Sequence, residues 1–166
     1  MASPAQEPVQ NQMDAPPQIL AISLIGEAGE FLEAARQLQK GGVIIRLMKP
    51  QFHLLCHCIE LLLKAHLAAS GVPNTTLRKR IGHDIQLAFR YGRRYFGFVP
   101  ADDRFPDLVR WLAPYHLEHI FRYPKPIGFA RYPRPSEAAE IIENTIGPVD
   151  QYVHNEARKA LSPHSP

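Results

Sequence analysis

A chain of 166 residues and 18.8 kDa, 45% apolar and 21% charged, has the size of one domain and enough apolar side chains to bury a core. That balance excludes a wholly disordered chain, and no run approaches the ~20 consecutive apolar residues of a plain membrane span. The net charge of +3 is unevenly spread: residues 43–98 hold nine basic and two acidic groups, while residues 1–42 and 99–166 are both net acidic. The middle third therefore favours an anionic partner.

Sixteen prolines divide the chain, because proline costs about 3 kcal/mol in a helix interior and is barred from central strands. Residues 1–17 read as a disordered lead-in without the basic flank and apolar run of a secretory signal. Residues 18–160 read as one helical domain, and 161–166 as a frayed tail. Leu20, Leu24, Ala28, Phe31, Ala35 and Leu38 form one stripe of an amphipathic helix over 19–39, ended by Gly41-Gly42. Residues 43–49 are too short to assign. Pro50 opens the most apolar helix, closed by Gly71 and Pro73. Its Cys56 and Cys58 point to different sides, which argues against a disulfide or a shared metal and for a reducing, cytoplasmic compartment.

A polar loop over 72–82 leads to a third helix, HDIQLAFRYGRRYFG, with His83 or Asp84 at its cap. Asp102 or Asp103 is placed to cap a fourth helix carrying Leu108, Val109, Trp111, Leu112 and Tyr115, which Pro114 should kink or shorten. Residues 121–135 (FRYPKPIGFARYPRP) have four prolines and no helical period, and read as an ordered, proline-rich surface strap. The last helix begins near Ser136, with acids in its early turns, and Gly147-Pro148 interrupts it. No segment has a strand period, so the expected fold is all-α, a bundle of four or five helices.

Chemistry concentrates in the second helix and just beyond it. His53, His57, Glu60 and Lys64 follow at spacings of 4, 3 and 4, which puts all four on one side. Charged groups in so apolar a helix must be paired or must face a cleft. The structural reading is a buried Glu60–Lys64 pair with Glu60 accepting from His83; the functional one is a ligand cleft of Glu60, Lys64, His83 and Asp84. Asp84 is most simply a helix cap worth about 1 kcal/mol. His53 and His57 could join Glu60 as metal ligands, but no second helix offers an obvious complementary set, so neither a metal nor another cofactor is expected.

Arg78, Lys79, Arg80, Arg90, Arg93 and Arg94 face only Asp84 in sequence. The strap adds Arg122, Lys125, Arg131 and Arg134 among Phe121, Tyr123, Phe129 and Tyr132, with no acid. Arginine beside exposed aromatics suits phosphate pairing and base stacking. The alternative is that the tyrosines pin the strap while the arginines keep it soluble.

The ordered pair IELLLKAHLAASG and GHDIQLAFRYG resembles the HEPN superfamily, through Glu60, Lys64, Ala65, His83, Asp84 and Ile85 over residues 50–95. The resemblance implies an antiparallel helical bundle, often dimeric, that binds nucleotides or RNA. It also implies membership of a toxin–antitoxin or defence system, with an antitoxin or nucleotidyltransferase as partner. Some members are metal-independent ribonucleases that use an arginine followed four to six residues later by a histidine. Four such pairs occur here, a number close to chance, and only Arg110/His116 falls on the fourth helix. Trp111 and Pro114 depart from that ribonuclease pattern. The expected function is therefore non-catalytic nucleotide or RNA binding, with Arg78, Arg80, Arg93, Arg94, Arg122 and Arg131 as phosphate contacts. The alternatives are an endoribonuclease toxin using Arg110 and His116 across a homodimer, and a structural dimerisation module. No membrane role is expected.

Overall fold

The computed structural model describes residues 16–40, 48–121 and 133–162. They form α1 (Pro17–Lys40), α2 (Met48–Ala69), a single turn α3 (Asn74–Thr76) running into a π-helical turn (Leu77–Ile81), α4 (Ile85–Tyr95), α5 (Phe105–Leu117) and α6 (Pro135–Leu161). The fold is all-helical, with no strand among the described residues. The lead-in up to residue 15, Gly41-Gly42 and the tail from 163 lie outside them. So do residues 122–132 of the strap, including Arg122, Lys125 and Arg131.

The buried line of α1 is Ala21, Ile25, Ala28, Leu32 and Ala35, one residue round from much of the stripe read from sequence. Leu20, Leu24 and Phe31 flank it, partly buried. Alanine at every seventh position has no side chain beyond Cβ to hold a neighbour away, and α1 packs most extensively on α2. The second helix is the centre of the molecule and also meets α4, α5 and α6. It is long and apolar enough to cross a membrane, but 78% of its apolar window is buried within the protein. Its place in the core accounts for its composition. Helix α2 begins at Met48, so Pro50 lies inside its first turn.

The expected polar loop at 72–82 is instead helical. Leu77 and Ile81, four apart, are buried, while Arg78, Lys79 and Arg80 between them are exposed. Gly82 N donates to Leu77 O at 2.9 Å, and Gly82 leaves the turn at φ +58°. Asp84 caps α4 as its position predicts, its Oδ1 accepting from Leu87 N at 2.8 Å. At α5 the cap is Arg104 rather than Asp102 or Asp103, and Asp102 accepts from the Arg104 backbone N at 2.9 Å. Pro114 does not end α5, which continues to Leu117.

Gly147-Pro148 does not interrupt α6. Proline removes only one donor from the ladder, and Thr145, Val149 and Val153 stay buried on either side of it. Packing of that face on α1 and α2 offsets the local cost. Of the strap, Phe121 is buried and stacks on Phe52 with ring centres 5.6 Å apart.

Candidate functional site

Glu60 sits in mid-α2 at 3% exposure, and both of its oxygens are engaged. Lys64 Nζ, one turn on, donates to Oε1 at 2.6 Å. His83, in the connection that leads to the Asp84 cap, brings Nδ1 to 3.1 Å from both oxygens. His116 of α5 brings Nε2 to 2.7 Å from Oε2. An ionised carboxylate can only accept, so both imidazoles present an N–H to it. His57 Nδ1 stands 3.8 Å from Oε2, too far for a hydrogen bond, and this buried atom has no other hydrogen-bond partner among the described residues. Burial opposes the charge on Glu60, but the His116 hydrogen bond, with His57 and Lys64 beside it, holds the carboxyl far below its usual range.

The sequence spacing thus brings Glu60 and Lys64 together, and the expected His83 contact is present. Asp84 turns its carboxylate to the α4 backbone instead. His53 stacks near His57, with ring centres 6.3 Å apart. Among the described residues, the three groups whose ligating atoms lie within 4.8 Å of one another are Glu60, His83 and His116, not the single-helix set of His53, His57 and Glu60. The complementary histidines come from the connection before α4 and from α5.

Arg110 and His116 are not brought together. Arg110 is 75% exposed and pairs with Asp107 at 3.1 Å, whereas the His116 side chain is 2% exposed on Glu60. The buried positions of α5, namely 105, 108, 109, 112, 113 and 116, carry one apolar period through to His116. That period was the available signal for its inward direction.

Two other buried polar groups, His66 and Asp102, make contacts that the sequence reading did not place. His66 donates to Phe96 O at 3.1 Å and stacks on Tyr152 at 4.8 Å, and burial pushes its pKa down. The Asp102 carboxylate accepts from the Arg104 side chain at 3.0 and 2.7 Å and from Asn144 of α6 at 3.0 Å. Those bonds hold it well below the usual carboxylate range. The two cysteines are buried free thiols that burial pushes up, Cys58 to about 12.

The basic residues stand apart from these networks. Arg78, Lys79, Arg80, Arg90, Arg93 and Arg94 are all exposed, and none forms an ion pair among the described residues. Arg78 and Lys79 line a recess of about 400 Å³ with Pro73, Asn74 and Thr75. Arg93 lies over the Phe89 ring at 5.7 Å, and Arg94 over the exposed Tyr95 at 5.5 Å. No family model, curated protein or solved structure matches this chain.

Proposed function

We propose that this chain is a HEPN-like antiparallel bundle that binds nucleotide or RNA phosphates without cleaving them. The observation that carries this reading is the unpaired charge of the π-turn and α4. Several cations elsewhere have carboxylate partners, as in Arg36–Glu143, Arg104–Glu140, Arg110–Asp107 and Lys159–Glu156. Six successive cations from Arg78 to Arg94 have none among the described residues, and a phosphate backbone would supply such partners. The recess beside Arg78 and Lys79 is within the size range of small-ligand sites. Tyr95, 60% exposed next to Arg94, offers a ring for stacking. The Glu60 network supports the loop that joins the two basic elements. A ribonuclease built on Arg110 and His116 draws less support, because one group is held in the core and the other is paired at the surface.

Fluorescence anisotropy with a labelled single-stranded RNA, repeated across salt concentrations, tests the proposal. Binding should weaken with salt, with a log–log slope of about −0.7 for each phosphate neutralised. The double variant Arg93→Glu/Arg94→Glu should bind more weakly and with a shallower slope. A wild-type slope near zero would leave the basic surface without this role, and shortening of the RNA would favour the ribonuclease alternative.

A further inference from the structure

We infer that Glu60, His83 and His116 form a binding site for a divalent transition-metal ion, with zinc the best-suited occupant. The inference stands apart from the phosphate-binding reading. Its basis is convergence on one atom: Glu60 Oε2 has His116 Nε2 at 2.7 Å, His83 Nδ1 at 3.1 Å and His57 Nδ1 at 3.8 Å. Zinc bound at ~2.0–2.1 Å to nitrogen and oxygen holds its tetrahedral ligands about 3.3–3.4 Å apart. The two ligand separations from Oε2 fall short of that value by less than 1 Å and all three ligating atoms lie within 4.8 Å of one another, so small side-chain rotations convert a shared hydrogen-bond centre into a coordination shell.

Three further features fit. Two imidazoles and one carboxylate are a donor set suited to zinc and its neighbours rather than to magnesium or calcium. Lys64 holds Oε1 at 2.6 Å, which His83 shares at 3.1 Å, and both rings reach Oε2. A hydrogen bond to the non-ligating oxygen is a usual outer-shell partner of a metal-bound carboxylate, and it keeps the ammonium on the far side of the group. His83 is 49% exposed, which gives an ion a route from solvent to an otherwise buried centre. His57 Nδ1, buried and without a hydrogen bond among the described residues, is a further donor 3.8 Å from Oε2. Three protein ligands beside a solvent-facing side resemble an open zinc site more than a closed structural one.

The test uses the full-length chain without an affinity tag, stripped with a chelator and titrated with Co²⁺ and then Zn²⁺. Wild type should bind one equivalent of Co²⁺ with the intense visible absorption of low-coordinate cobalt, which Zn²⁺ then displaces. His83→Ala removes a half-exposed ligand with little risk to folding, and should lose more affinity than the ~10–100-fold typical of outer-shell changes. Glu60→Gln should abolish the band if it folds, but His83→Ala decides the matter alone. His53→Ala and His154→Ala, the latter removing an exposed His–Asp pair on α6, should leave the titration unchanged. Absence of a saturable one-to-one complex in wild type, or undiminished binding by His83→Ala, would overturn the site. Loss of binding in His53→Ala instead would assign the metal to the single-helix pair and overturn it equally.

Discussion

At the scale of single residues, Glu60 is the group on which most depends. Its carboxylate compensates Lys64 and satisfies His83 and His116, so replacing it with alanine leaves a partly buried ammonium and a buried imidazole without an anion. Breaking a buried pair in this way costs about 3–5 kcal/mol. Urea denaturation of Glu60→Ala should show a loss of that order, while Lys64→Met, which leaves the carboxylate with two imidazole donors, should lose less. A Glu60→Ala midpoint equal to the parent's would contradict the network. Part of this cluster was legible beforehand. The 4-3-4 spacing on α2 put Glu60 and Lys64 in reach, and the nearness of GHDI suggested His83. His116 was not, because its contact spans 56 residues and no local period says which helix will pack on which.

Elements follow a similar division, and two glycines show why propensity alone does not settle stability. Gly92 lies inside α4, where a Cβ would meet Phe98 Cβ at 3.2 Å. Phe98 cannot readily retreat: it is buried, and its backbone N donates to Gly92 O at 3.1 Å. Gly26 lies inside α1 with nothing within 4 Å of an added Cβ. Alanine in a helix interior is favoured over glycine by about 0.5–1 kcal/mol. Gly26→Ala should therefore raise the melting temperature and Gly92→Ala lower it; a rise for both would show that the Phe98 contact yields. Helices α1, α2 and α4 announced themselves through period, proline and glycine. The π-turn did not, because two buried residues, Leu77 and Ile81, hide among three exposed cations. The unbroken α6 was illegible for a different reason, since the packing that offsets Pro148 comes from α1 and α2.

The molecule as a whole is organised around α2, and its polar ties sit where other elements close over that helix. Asp102 joins the start of α5 to α6 through Asn144 and, by way of Arg104, to Glu140. A carboxyl held below its usual range contributes stability that is full above about pH 4 and lost as pH falls through the folded value. His66, pushed down by burial, adds stability that is full above about pH 6.5 and lost below it. The melting temperature should thus decline in two stages on acidification. Asp102→Asn should blunt the second stage and spare the first, and superimposable profiles below pH 4 would remove Asp102 from the account.

The alanines of α1 have a different sort of consequence. A ladder repeating every seven residues looks nearly the same after a slide of about 10.5 Å, so close approach by itself leaves translation along the axis poorly determined. Two polar ties lift that degeneracy. Gln51 at the start of α2 donates to Ala35 O at 3.3 Å, and Arg36 one residue on pairs with Glu143 of α6. Both act at the same end of α1, which is thus pinned like a ruler at one mark while its alanines set only how near it lies.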